Sequence, residues 1–149
     1  MKICVIYDTK KNSTKVFSKW IKEDIQQHNI DVDIFKYNEF NNKYDYDLFI
    51  IGSPIYYEKP LKGIMNFLEE NSSILKEKKT AVFIVCMAQL FGKATEKYIK
   101  NHYLRPLEEK VGDLVVESGV FWGWIRKINE KDRDKVKKWA NEIVKKLGD

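Results

Sequence analysis

The chain has 149 residues, 44% hydrophobic and 33% charged, with 27 lysines and arginines against 22 acids for a net charge of +5. That length makes one ordinary domain, residues 1–149, with core enough to fold without disulfides or metals. The composition excludes a disordered chain, and no apolar run approaches the roughly 20 residues that cross a bilayer. The N-terminal run Ile3 to Tyr7 meets Asp8 too soon for a secretory signal, so a cytoplasmic protein without integral membrane insertion is expected. Cys4 and Cys86 sit inside apolar runs and read as buried thiols, while His28 and His102 lack metal-ligand spacing. The lysines interleave with acids, as in Glu130-Lys131-Asp132-Arg133-Asp134-Lys135. That is the pattern of a solvated helix face rather than a nucleic-acid stripe, and it suits an acidic protein partner equally well.

Lys2 to Tyr7 reads as a strand buried on both faces. Ser13 to His28 carries Val16, Phe17, Trp20, Ile21 and Ile25 at helical spacing, with Asn29 as its stop. Asp31 to Tyr37 is a second strand, and Asn38 to Tyr46 a short polar and aromatic connection. Leu48 to Ile51 is a third strand that runs into a turn at Gly52-Ser53-Pro54. Pro60 suits a first helical turn, followed by the face Leu61, Ile64, Met65, Phe67 and Leu68. Thr80 to Met87 is the fourth strand, and Ala94 to Leu107 a helix that breaks near Pro106. Asp113 to Phe121 is the fifth strand, and Lys131 to Leu147 an amphipathic closing helix. Strands alternating with helices specify a mostly parallel sheet covered on both faces.

In such sheets ligands bind at the carboxyl ends of the strands. After the first strand come Asp8-Thr9-Lys10-Lys11-Asn12-Ser13-Thr14, leading straight into a helix. Three hydroxyls, an amide and the free N–H groups of a helix start make an anion cradle, although the same residues also suit an ordinary helix cap. Lys10 and Lys11 either add attraction or point to solvent.

Tyr7-Asp8-Thr9 with Asn12-Ser13-Thr14 resembles the phosphate loop of the flavodoxin family, with Ser13 in place of the usual Asn and Asn12 where glycine is common. Asn is the side chain that best tolerates a left-handed backbone there. Leu48 to Ile51 followed by Gly52-Ser53-Pro54-Ile55-Tyr56-Tyr57 is similar to the family's third strand end, which contacts a flavin ring. The resemblance implies a three-layer sandwich around a five-stranded parallel sheet in the order 2-1-3-4-5, and flavin mononucleotide (FMN) as cofactor. It implies phosphate contacts from Thr9, Lys10, Lys11, Asn12, Ser13 and Thr14. Ring contacts fall to Ser53, Pro54, Ile55, Tyr56 and Tyr57, and by position to Met87, Ala88, Gln89 and Phe91 after the fourth strand.

Three uses of that site are expected from the sequence. One is an electron carrier serving redox partner proteins, which the short chain fits and the basic balance fits less well. Another follows from a likeness of Leu104-Arg105-Pro106 and Val116 to Phe121 to flavodoxin-type, quinone-dependent protoporphyrinogen oxidases; Trp122 to Ile128 is too short for their extra segment. The third is a flavin-free interaction module. Trp122 and Trp124 point to the same side of a strand-like stretch; they either pack beneath the final helix or form a peripheral contact patch. No Gly-x-Ser-x-Gly elbow or Walker loop appears, so side-chain nucleophilic chemistry is not expected.

Overall fold

A computed structural model describes residues 1–86, 96–123 and 130–148. The first apolar run forms β1 (Lys2–Tyr7), followed by α1 (Ser13–Gln26) and β2 (Asp31–Lys36). A single turn at Tyr37–Glu39 then leads to β3 (Leu48–Tyr56), β4 (Lys59–Pro60), α2 (Lys62–Glu70) and α3 (Ser72–Leu75). The remaining elements are β5 (Thr80–Cys86), α4 (Glu96–Ile99), a π-helical turn (Lys100–Leu104), α5 (Arg105–Val111), β6 (Val115–Trp122) and α6 (Glu130–Gly148).

The sheet order is β2-β1-β3-β5-β6, all parallel, with β4 pairing antiparallel to β3. The expected order holds, and the hairpin strand β4 makes the sheet six-stranded rather than five-stranded. Period-two alternation divides the core between the two faces. Ile3 and Val5 pack with Phe17, Ile21, Ile25, Val136 and Ile143 beneath α1 and α6. Cys4 and Ile6 pack on the opposite face with Phe49, Ile64, Leu68, Leu104 and Leu107. Across the first face Phe17 stacks on Phe121 at 5.2 Å, and Arg133 of α6 grips the buried Asp24 of α1 through bonds of 2.5 and 2.8 Å.

Two proline-based expectations are corrected. Gly52-Ser53-Pro54 is not a turn: β3 continues through it to Tyr56. Gly52 is there because Phe83 fills its side-chain space, a Cβ lying 2.1 Å from the ring. The Gly52 carbonyl faces β1, so with alternating direction the backbone of Pro54 also faces that side, one step beyond the last β1 pairing at Tyr7. The missing proline N–H therefore costs no ladder bond. Pro60 likewise lies in β4, one residue before the Leu61 cap of α2, rather than in a helical turn.

The helix at Pro106 does not break either, because the wide turn Lys100–Leu104 precedes it and α5 continues to Val111. Buried Ile99, Tyr103, Leu107 and Val111 recur every fourth residue. On an ideal helix that spacing drifts by about 40° per step, and a wider turn absorbs the drift. Trp122 ends β6 and packs against the cluster on the α4–α5 face, not the cluster beneath α6; Trp124 lies outside the described residues.

At the open edge of β6, Lys146 donates to the Val116 carbonyl and to Glu117, at 3.1 and 3.0 Å. Cys4 and Cys86 are free and fully buried, and burial pushes both thiols up to about 12. Neither is expected to react with Ellman's reagent in the folded protein at pH 8, whereas both titrate in denaturant. Replacing Gly52 by Ala is expected to cost about 1–3 kcal/mol by urea denaturation, because Phe83 must leave its rotamer.

Candidate functional site

The carboxyl ends of β1 and β3 lie side by side, and each releases a loop that the sequence marks as functional. The two are tied at their root, where the Asp8 N–H donates to the Gly52 carbonyl at 3.1 Å. From there β1 leads into Thr9–Asn12 and α1, while β3 runs on to the Tyr57-Glu58 turn.

Asn12 adopts the left-handed conformation at φ 69°, and its side chain makes no capping bond. It fills the role that glycine usually plays, at the ~1 kcal/mol scale of a left-handed non-glycine residue. The first helical bond of α1 runs from the Val16 N–H to the Asn12 carbonyl. The N–H groups of Ser13, Thr14 and Lys15 thus open onto the loop with the positive end of the helix dipole. Thr14 is fully buried and Ser13 nearly so. Among the described residues four buried side-chain polar atoms lack a hydrogen-bond partner, and two of them, Thr9 Oγ1 and Thr14 Oγ1, belong to this one loop. The residue at the capping position, Asn12, leaves the helix start uncapped as well. Two orphaned hydroxyls beside open helix N–H groups have the donor set that a phosphate accepts.

The hairpin supplies the other half. Ser53, Pro54 and Ile55 are buried. Ser53 Oγ donates to the Pro54 carbonyl at 2.8 Å and accepts the Leu61 N–H at 3.0 Å, while Ile55 joins the core. These three can meet a ligand only through their backbone. Tyr56 is half-buried and Tyr57 is 91% exposed, so the rings are where a flat ligand finds a face. Lys10 crosses from the first loop to the second, its Nζ 4.9 Å from the Tyr56 ring centre and 6.0 Å from that of Tyr57. The side chain stays exposed while its ammonium lies over the hairpin rings. Lys11 and Asn12 are exposed at the rim. Met87, Ala88, Gln89 and Phe91 lie outside the described residues.

Sequence reasoning missed Asp8. The residue is 6% exposed, and its carboxylate accepts the Thr9 N–H at 2.8 Å. Burial raises its pKa, with the Thr9 N–H, Lys36 and the Ile64 N–H of α2 opposing. A charged residue next to a strand end gives no burial signal in sequence. The link from Tyr98 of α4 to Glu58, where the hydroxyl donates at 3.3 Å, was equally invisible because it spans 40 positions.

A family model described as the flavodoxin domain matches residues 4–146. The chain belongs to the flavodoxin-domain family. Among solved structures it is similar to a flavodoxin from the domain Archaea, at 22% identity over the whole of both chains and a TM-score of 0.74. It is also similar to oxidised flavodoxin 1 from Bacillus cereus, at 19% identity, 97% and 98% coverage and a TM-score of 0.72. Rubredoxin oxygen:oxidoreductase from Desulfovibrio gigas matches 99% of this chain at 16% identity and a TM-score of 0.70, but the match spans only 36% of that larger protein. At these identities the likeness is one of fold. No curated protein matches the sequence. Among the described residues no helix is long and apolar enough to cross a membrane, and no acid, His and Cys cluster is arranged to hold a metal.

An acid whose native pKa stands above its unfolded value stabilises the fold only below that value, and the contribution is lost as pH rises through the native pKa. Ionised Asp8 therefore weakens the fold at neutral pH. Asp8→Asn, which keeps an acceptor for Thr9, is expected to resist urea better than the parent at pH 7. The two should converge below pH ~3.9, the ordinary Asp value.

Proposed function

We propose that this chain binds FMN and carries electrons through it between redox partner proteins. The observation that carries the reading is the pair of buried, unpartnered hydroxyls of Thr9 and Thr14 at the open N-terminus of α1, one strand away from the Tyr56 and Tyr57 rings. Phosphate suits the first loop and an aromatic ring system the second, and FMN joins the two in one molecule. When bound, FMN supplies one- and two-electron chemistry that no side chain of this protein offers.

The residues divide the work of holding it. Thr9, Ser13 and Thr14 would donate hydroxyl hydrogens to phosphate oxygens, joined by N–H groups of the first turn of α1. Tyr56 would cover the ring, and the backbone of Ser53 to Ile55 would meet its polar edge. No acid or base of the protein has to move a proton for an electron to pass. The free thiols of Cys4 and Cys86 support a reducing compartment, which makes the cytoplasm the proposed location.

The purified chain is expected to be yellow, or to become so when titrated with FMN; a colourless protein with no saturable FMN binding overturns the reading. Thr14→Ala is expected to weaken FMN by about 1.5–3 kcal/mol, one charge-assisted hydrogen bond, and to leave riboflavin almost unchanged. Equal weakening of both ligands, followed by flavin fluorescence quenching, would remove the phosphate assignment.

A further inference from the structure

The net charge is not spread evenly over the ends of the sheet. At the carboxyl ends of β1, β2 and β3 stand Lys10, Lys11, Lys15, Lys36, Lys59 and Lys62. All are exposed except the half-buried Lys36. Against them are two exposed acids, Glu39 and Glu58, together with the buried Asp8. Glu58 is engaged by the Tyr98 hydroxyl. Among the described residues, the first turns of α6 beyond β6 carry acids and bases in equal number from Glu130 to Lys135, whereas the β1–β3 side carries an excess of lysines.

At the same end of the sheet is Tyr57, 91% exposed on the tip of the hairpin, with the Lys10 ammonium 6.0 Å from its ring centre. Tyr57 and Glu58 have φ of 50° and 64°, so the two-residue turn is left-handed at both positions without a glycine. Asn-Gly would make this turn with less strain. The turn holds a large aromatic ring out in water, at a cost on the scale of left-handed backbone in an L-residue. Lys10 against Tyr56 and Tyr57, and Tyr98 on Glu58, brace it from both sides. An exposed, braced tyrosine among lysines that outnumber the nearby acids has the composition of an interface anchor with a steering rim.

We propose that Tyr57 and the surrounding lysines form the docking surface for an acidic redox protein. The proposal rests on the flavin reading for its purpose, since the same loops would hold the ring, but its charge argument stands on the lysines alone. An acidic partner is drawn to this side of the molecule and brought up to the hairpin, where a bound ring would be within electron-transfer reach.

The test uses cytochrome c in two forms: the native basic protein, and the succinylated protein, in which carboxylates replace the lysine charges around the same haem. Reduced, FMN-loaded protein is mixed with each in a stopped-flow instrument. The succinylated acceptor is expected to react faster at low ionic strength and to slow as salt is added, with the opposite salt response for the native acceptor. Lys59→Glu with Lys62→Glu is expected to slow the succinylated reaction by about tenfold at low salt. Lys76→Glu with Lys79→Glu makes the same charge change near the amino end of β5, and is expected to alter the rate by less than twofold. Faster reaction with native cytochrome c, or equal effects of the two double variants, overturns the docking surface. Titrating the isotope-labelled, flavin-free chain with succinylated cytochrome c by NMR separates the two readings. Shifts confined to the hairpin and the first loop support docking even if no FMN binds, while shifts elsewhere or none defeat it even if FMN does.

Discussion

The hydrogen bond from the Asp8 N–H to the Gly52 carbonyl is the last rung between β1 and β3, and both loops of the candidate site hang from it. Below it, β1 and β3 run in register from Ile3 against Leu48 to Tyr7 against Gly52. Above it the chain goes two ways, into the loop before α1 and into the hairpin of Tyr56 to Lys59. The winding direction reverses at this point, and an open parallel sheet has its natural crevice there. Gly52 makes the rung possible, because only a residue without a side chain leaves Phe83 its place beneath the strand. A core contact on one face thus sets the spacing of two loops at the end of the sheet.

The elements that bury apolar residues at a regular period were legible in the sequence. The long helices and the parallel strands lie close to where periodicity places them, and the order of the sheet is the one the family resemblance implies. What misled was punctuation. Glycine and proline usually mark turns, yet Gly52 and Pro54 lie inside a strand and Pro106 inside a helix. In each case another feature removes the ordinary penalty: the Phe83 ring, the end of β1, and the π-helical turn at Lys100 to Leu104. The first two are remote in sequence, and the third adjoins Pro106 but carries no glycine or proline that marks it. The first loop was legible in the opposite way, since Asn12 takes the left-handed backbone for which Asn is best suited. What the residues could not distinguish was a capped helix from an open one. The missing cap bond of Asn12, beside the buried and unpartnered hydroxyls of Thr9 and Thr14, distinguishes them.

Charge and fold carry different information here. The fold is shared with flavodoxins at identities near 20%. The lysines belong to this chain, and Lys10 shows how closely they are woven into the candidate site: its backbone lies in the loop before α1 and its ammonium over the Tyr56 ring of the hairpin. A change at Lys10 would therefore touch both loops at once, whereas Lys59 belongs to the hairpin alone and Lys62 to the start of α2.

The ion pair on the outer strand has a consequence for the protein in concentrated solution. A parallel sheet has two raw edges, and each is a template on which a neighbouring chain can polymerise. On β2 the edge carries Asp31, Asp33 and Lys36, charges that a stacking strand would have to strip of water. On β6 the Val116 carbonyl is already occupied by Lys146, which is itself held by Glu117. An invading strand would have to break that pair before making its first bond at Val116, so the chain resists amyloid-like growth at its outer edges by keeping them charged.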